Sequence, residues 1–170
     1  NIGKAGGIIF NPESPIPGVP DVRKSSTLAE WKQLAEDMRG GEVQLALVRG
    51  ANPVYGLPGE IGFSEALEKV PFIVSVTSFH DETTAQADVI IPEHTYLEDW
   101  GDDIPEPGPG YQAITFQQPV VRPFLNTKPF GDALLDLSRR IGGGLGDSLP
   151  WGSMKDVVQD TAQRLYRLQR

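Results

Sequence analysis

Three short apolar segments, separated by stretches with helical patterning, constrain the fold of this chain more than any other feature. The sequence predicts strands at 43–48, 72–78 and 88–92, which contain VQLALV, FIVSVTS and DVIIP. The first of these strands is mostly apolar, which is typical of a strand that is buried on both faces. A strand, helix, strand, short helix, strand order favours right-handed crossovers and a parallel sheet. We therefore predict a three-layer, doubly wound, Rossmann-like α/β fold with a mostly parallel sheet.

Helical periodicity predicts the remaining elements and a division of the chain into three parts. Apolar residues recur at helical spacing in LAEWKQLAEDM, FSEALEKV, GDALLDLSRRI and SMKDVVQDTAQRLYRLQ. Residues 1–27 are rich in Pro, Gly and Ser and are predicted to form an extended arm. Residues 28–142 are predicted to form the α/β domain, and residues 143–170 a linker followed by the C-terminal helix.

Composition excludes several classes of function. The formal charge of −8 lacks the clustered Lys and Arg of a nucleic-acid surface, so no nucleic-acid partner is expected. The absence of cysteine excludes disulfides, iron–sulfur ligands and Cys nucleophiles within these 170 residues. Two histidines are too few for a His-rich metal site, and no segment approaches the ~20 apolar residues of a membrane span. No signal peptide is visible and the chain begins on Asn1, so we expect it to be a segment or a processed piece of a longer protein.

Loops that follow the first two predicted strands are candidates for ligand binding. In parallel sheets, ligands bind at the carboxyl ends of the strands. After the first strand, Gly50 and Asn52 could direct backbone amides and a side-chain amide toward a ligand, or could serve only as a tight connection. After the second strand, hydroxyls and carboxylates could bind a ribose or a purine edge, although Asp81 also suits the N-cap of a short helix. Local pattern alone leaves both pairs of alternatives open.

The order of these motifs closely resembles the molybdopterin oxidoreductases of the dimethyl sulfoxide reductase superfamily. The resemblance extends from Val43 to Gly142 and rests on VRGANPVYGLP, on VPFIVSVTSFHDETTAQADVIIPEHTYLEDWGD and on QQPVVRPFLNTKPFGDALLDLSRRIG. It is strongest toward the branch that contains polysulfide-reductase-like enzymes and alternative complex III. It implies that this chain is part of the large subunit of a respiratory electron-transfer protein and is not catalytic alone.

The family holds molybdopterin guanine dinucleotide, so the resemblance implies that cofactor and a set of residues near it. The implied residues are Gly50, Ala51, Asn52, Pro53, Thr77, Ser78, Phe79, Glu82, Thr83 and Asp88. Asp88 is expected to order the loops. Where the family commonly has an Asp for guanosine, this chain has Thr77 and Ser78, whose hydroxyls lack the charge of a carboxylate. The alternative implied by the same branch is a cofactor-free structural domain that scaffolds a quinol-oxidising membrane complex.

The resemblance also implies partners and a location. The partners would be the remainder of the large subunit, together with iron–sulfur and membrane-anchor subunits. The chain itself would not insert into the membrane. The complex would be membrane-associated, on the periplasmic face.

Overall fold

The structure is a computed structural model that describes residues 25–104 and 113–168. Its helices are α1 Leu28–Arg39, α2 Pro53–Gly56, α3 Phe63–Leu67, α4 Phe130–Ile141, α5 Gly143–Ser148 and α6 Met154–Leu168. Its strands are β1 Ala46–Arg49, β2 Ile73–Thr77, β3 Val89–Pro92, β4 Gly101–Asp103 and β5 Thr115–Gln117. Two 3₁₀ turns occur at Gly59–Ile61 and Thr84–Gln86. Most of the predicted arm, residues 1–24, lies outside the described residues.

The described residues divide into two compact units. The sheet unit consists of residues 25–94 and 124–130, and the helix unit of residues 95–104, 113–123 and 131–168. The predicted domain boundaries at 27 and 142 stay predictions.

The sheet unit is built on a parallel three-stranded sheet in the order β1-β2-β3. Ala46 lies beside Ile73 in the register of β1 and β2, and Val74 lies beside Val89 in that of β2 and β3. The α/β class and the parallel sheet are therefore confirmed. Each predicted strand is present, although β1 begins three residues later than the pattern predicted, at Ala46.

One face of the sheet unit carries its hydrophobic core. The core residues come from α1, α3, the turn between α2 and α3, and one face of the strands: Ala35, Met38, Ala46, Ile61, Phe63, Ala66, Leu67, Val70 and Ile73. A capping box between Thr27 and Glu30 fixes the start of α1, where the Thr27 amide donates to the Glu30 carboxylate over 2.6 Å. Helices α1 and α3 share this core with β1 and β2.

The prediction that the first strand is buried on both faces was wrong. Successive side chains of a strand point to opposite faces of the sheet. Ala46 points to the core and is buried, whereas Leu47 points to the other face and is 49% exposed. The central strand β2 is more deeply buried, with Ile73, Ser75 and Val76 all inaccessible.

The helix unit contains an antiparallel pair, β4 and β5, with Gly101 beside Gln117. Helix α6 contacts β4, and the Asp132 carboxylate accepts a hydrogen bond from the Met154 amide over 2.7 Å. A side chain at Gly131 would overlap the side chain of Met154, which would have to move to make room for it.

Candidate functional site

The loops that follow β1 and β2 meet at the carboxyl ends of the strands. Gly50 adopts a positive φ of 59°, and its amide donates to the carbonyl of Val76 over 3.3 Å. Positive φ costs glycine little, so the chain can turn sharply here before Pro53 begins α2. Among the described residues, no atom lies within 4 Å of the position that a Gly50 Cβ would take. The bond from Gly50 to Val76 brings the start of the first loop beside the end of β2.

Asn52 ties the first loop to the second. Its Nδ2 donates to Oε2 of Glu82 over 2.6 Å. Its Oδ1 accepts from the Thr83 hydroxyl over 2.7 Å and from the Tyr55 amide over 3.3 Å. The side-chain amide of Asn52 is therefore engaged within the protein at both ends.

The buried residue Thr83 holds the side chain of Asn52 by a hydrogen bond. It is 1% exposed, and its hydroxyl accepts from the Val54 amide over 3.1 Å while it donates to Asn52. The next residue, Thr84, shares a buried 2.8 Å hydrogen bond with Ser75 of β2. Because a buried hydroxyl without partners is costly, these bonds fix the turn that carries Glu82.

The hydroxyls of Thr77, which ends β2, and of Ser78, which follows it, donate to backbone carbonyls. The Thr77 hydroxyl donates to the carbonyl of Phe79 over 3.0 Å and accepts from the amide of the same residue over 3.1 Å. The Ser78 hydroxyl donates to the carbonyl of Glu93 over 3.3 Å. A hydroxyl has one donor and two acceptor positions. Thr77 and Ser78 therefore retain only acceptor capacity toward a ligand.

Glu82 carries an ionised carboxylate at the surface of the second loop. The hydrogen bond from Asn52 lowers the pKa of Glu82 below its usual value, with a smaller lowering from the Glu82 backbone amide. Desolvation and the nearby Asp81 oppose this shift weakly. Because the pKa of Glu82 is lower in the folded than in the unfolded protein, the ionised carboxylate stabilises the folded protein at pH values above the unfolded pKa. This stabilisation is lost as the pH falls through the folded pKa.

Asp81 binds the backbone of the turn through its carboxylate. Its Oδ1 accepts from the Thr84 amide over 2.7 Å, although the N-cap residue of the 3₁₀ turn is Thr83 rather than Asp81. Its neighbour Phe79 is 81% exposed. The second loop therefore presents an aromatic ring and a carboxylate while Asp81 holds its backbone.

Asp88 lies at the opposite end of the sheet from the other nine candidate residues. Its carboxylate accepts from the Ile73 amide over 2.7 Å, and its own amide donates to the Ile73 carbonyl over 2.9 Å. Ile73 begins β2 and Thr77 ends it, so the two ends are about 13 Å apart at roughly 3.3 Å per strand residue. The structure thus gives Asp88 an ordering contact at the start of β2 and β3.

Replacing Asp88 with alanine should lower the free energy of unfolding by about 1 kcal/mol, because the Ile73 amide loses a charged acceptor at a partly exposed position. The loops that follow β1 and β2 should keep their structure. Chemical denaturation measures the first effect, and hydrogen exchange at Val54 and Tyr55 measures the second. Faster exchange at these amides without loss of global stability would contradict the ordering role.

Arg49 and Tyr55 belong to this edge of the sheet and were not predicted. Arg49 ends β1, its Nε donates to Oε2 of Glu93 over 2.8 Å, and its guanidinium lies 4.5 Å from the centroid of the Phe130 ring. Tyr55 follows the Asn-Pro pair and is 78% exposed. Arg49 lies directly between the predicted strand and Gly50, and this position could have identified it as a residue of the loop edge. The alternation of apolar and polar residues does not identify it.

Neither a metal cluster nor a membrane span occurs in the part of the chain that the structure describes. Residues 25–104 and 113–168 contain no group of three or more His, Asp or Glu side chains that could hold a metal ion. None of the described helices has the length and apolarity needed to cross a bilayer.

The fold and the edge described above define an α/β domain with two loops tied together at the carboxyl ends of parallel strands. The family model for molybdopterin oxidoreductase matches residues 23–139. This chain therefore belongs to the molybdopterin oxidoreductase family, whose cofactor is molybdopterin.

Several curated proteins are similar to this chain over part of their length. The menaquinone reductase, molybdopterin-binding-like subunit of Nitratidesulfovibrio vulgaris is 38% identical over 135 residues, which cover 79% of this chain and 19% of that protein. A tetrathionate reductase subunit of Salmonella typhimurium is 38% identical over 77 residues, 43% of this chain and 8% of that protein. The thiosulfate reductase molybdopterin-containing subunit of the same organism is 26% identical over 117 residues, 69% of this chain and 14% of that protein. The chain thus spans about a fifth or less of the length of these relatives.

Proposed function

We propose that this chain contributes the domain that holds one molybdopterin guanine dinucleotide in the large subunit of a respiratory oxidoreductase. The observation that carries the proposal is the pair of loops joined by the 2.6 Å hydrogen bond between Asn52 and Glu82 at the carboxyl ends of β1 and β2. Open α/β sheets bind their ligands in this position. Membership of the molybdopterin oxidoreductase family supports the chemical class of the ligand.

The first loop fits a ligand that approaches the backbone closely. Gly50 presents no side chain, the space beside it is open, and Ala51 is exposed. In the proposed function, Gly50, Ala51 and Asn52 lie along the dinucleotide through backbone contacts. Pro53 is buried and fixes the start of α2, so its role is to shape the loop.

The second loop fits the guanosine end through acceptor groups. The hydroxyls of Thr77 and Ser78 accept hydrogen bonds, and the ring of Phe79 offers an apolar face. Thr83 acts through Asn52 and Glu82, and Asp88 through β2 and β3. When bound with its metal, the cofactor supplies the electron-transfer chemistry, and the residues of this chain bind and orient it.

Metal analysis combined with pterin fluorescence tests the proposal on the full-length protein that contains this chain. Molybdenum or tungsten together with a guanine-containing pterin is the expected result. Absence of both from an active complex would contradict the proposal.

A second candidate function is that of a cofactor-free domain that scaffolds a quinol-oxidising membrane complex. The observation that favours it is the internal use of the polar groups at the site, since Asn52 is bonded at both ends and both hydroxyls donate to the backbone. The name of the Nitratidesulfovibrio relative, which is called molybdopterin-binding-like, agrees with it. An active complex that lacks pterin and metal is the outcome that would establish this function.

Partners and location are proposed on the same basis. We propose that the domain assembles with the remainder of a large subunit, and with iron–sulfur and membrane-anchor subunits, at the periplasmic face of a membrane. A relative that is named as a menaquinone reductase subunit supports this assembly. Purification of the tagged full-length protein from solubilised membranes, with identification of the subunits that copurify, tests it.

A further inference from the structure

The outer edge of β1 has no strand partner among the described residues. The sheet order is β1-β2-β3, so β1 and β3 are its two edges. In β1 the Ala46 amide points to β2, since it donates to the carbonyl of Phe72 over 3.0 Å. Backbone groups of successive strand residues point in opposite directions within the sheet. The amides and carbonyls of Leu47 and Arg49 therefore point away from β2.

Strand β1 also lacks the features that usually protect an edge. Natural edge strands carry Pro, Lys or a bulge, or are covered by another segment. The side chain of Leu47 is 49% exposed, and that of Leu45, directly before the strand, is 57% exposed. The charged residue of β1, Arg49, is paired with Glu93 over 2.8 Å. An exposed apolar edge of this kind is a template for pairing with another strand.

The edge at β3 is different, because part of this chain closes it. Pro92 ends β3 and has no amide hydrogen. Its carbonyl accepts from the Lys128 amide over 3.0 Å, and Glu93 forms a parallel bridge with Lys128. The sheet can therefore be extended more readily at β1 than at β3.

We infer that an extended apolar segment of the same large subunit, from outside these 170 residues, pairs with β1 as a fourth strand of this sheet. The inference rests on the proposed function, in which this chain is one part of a large subunit. The main chain of the segment bonds to the outward amides and carbonyls of Leu47 and Arg49. An apolar side chain of the segment lies beside Leu47 as its cross-strand neighbour. The sheet then reaches the usual size of about four to six strands.

The small size of the edge favours a segment of the same polypeptide over a second copy of the chain. Strand β1 has four residues. Stable interfaces between separate proteins bury about 1,200–2,000 Å², which is more than one short strand supplies. A tethered segment needs less area, because its effective concentration is high. The Nitratidesulfovibrio relative matches this chain over 19% of its own length, so most of such a protein is available to supply the strand.

Hydrogen exchange of single amides in the full-length protein tests whether the edge is paired. The amide of Val48 faces β2 and is the matched control within the same strand. After correction for intrinsic rates, the amides of Leu47 and Arg49 should exchange within about tenfold of Val48, because all three are hydrogen-bonded. Exchange of Leu47 and Arg49 more than about tenfold faster than Val48 would show a free edge and would overturn the inference.

Photocross-linking in the full-length protein identifies the segment that pairs with β1. Replacing Leu45 with the photoreactive residue p-benzoylphenylalanine places the probe beside the edge. The expected product has the mass of one polypeptide and joins position 45 to a segment outside these 170 residues. The same probe at Lys32, which is exposed on α1, should not give this product. A product of doubled mass, a product with another subunit or the absence of a product would overturn the inference.

The outcomes separate this inference from the proposed function. Slow exchange at Leu47 in an active complex that contains neither pterin nor metal would overturn the proposed cofactor binding and leave the inference standing. Fast exchange at Leu47 in a protein that contains a guanine-containing pterin would do the reverse.

Discussion

Replacing Leu67 with alanine should lower the free energy of unfolding by about 2–5 kcal/mol, the range for removal of a buried leucine side chain. Leu67 is fully buried in α3 and packs within the core beneath the sheet, together with Met38 and Ile73. The large effect is expected because the loss of three methylene-sized groups leaves a cavity that α1 and α3 cannot close without moving. Since about 1 kcal/mol shifts the midpoint of a domain of this size by about 2–4 °C, calorimetry should show a decrease of about 4–20 °C.

Leu47 provides the matched control for this experiment. It is the same residue type, but it is 49% exposed on the other face of the sheet. Leu47→Ala should cost less than about 1 kcal/mol, because little apolar surface returns to water. Leu67→Met, which conserves volume, should cost less than about 1.5 kcal/mol. Equal losses for Leu67→Ala and Leu47→Ala would show that α3 is not packed as described.

The sequence was sufficient to predict the parts of the fold that depend on local periodicity. The three strands, α1, α4 and α6 were predicted from the spacing of apolar residues, and the structure places each within a few residues. Strand β4 and helix α5 were missed, since GDD and GGLGDS have low intrinsic preference for strand or helix. Strand β4 forms through its pairing with β5. The exposed side of β1 was also missed, because an apolar run does not reveal which of its residues face a neighbouring layer.

The sequence predicts where the loops after β1 and β2 lie, but not the hydrogen bonds between them. Parallel strands bring their carboxyl ends together, so the order of the elements alone places Gly50 near Thr77. The bond from Asn52 to Glu82 joins residues 30 positions apart, and nothing in the local pattern of either residue specifies it. The same holds for Asp88, whose partner Ile73 could be found only once the register of β2 and β3 was known. The role of each of these residues therefore depends on hydrogen bonds between residues that are far apart in the sequence.

Replacing Thr83 with valine should cost about 2–3 kcal/mol, because two partly buried hydrogen bonds are lost while the volume of the side chain is conserved. The Val54 amide loses its acceptor, and Oδ1 of Asn52 loses its shortest donor. Asn52 then no longer holds Glu82 in one orientation, so the two loops become independent. Hydrogen exchange should show Val54 and Tyr55 exchanging at least about tenfold faster, since local opening follows the lost free energy.

Thr83→Ser is the control that separates hydrogen bonding from packing. Serine keeps the hydroxyl and both of its hydrogen bonds and loses one methyl group, so the cost should be about 1 kcal/mol. The exchange of the Val54 amide should then stay close to that of the native protein. If Thr83→Ser were more destabilised than Thr83→Val, packing of the methyl group would be the dominant interaction. If Thr83→Val instead kept slow exchange at Val54, the loops would be joined by contacts other than Asn52, and Thr83 would not act as a positioning residue for Glu82.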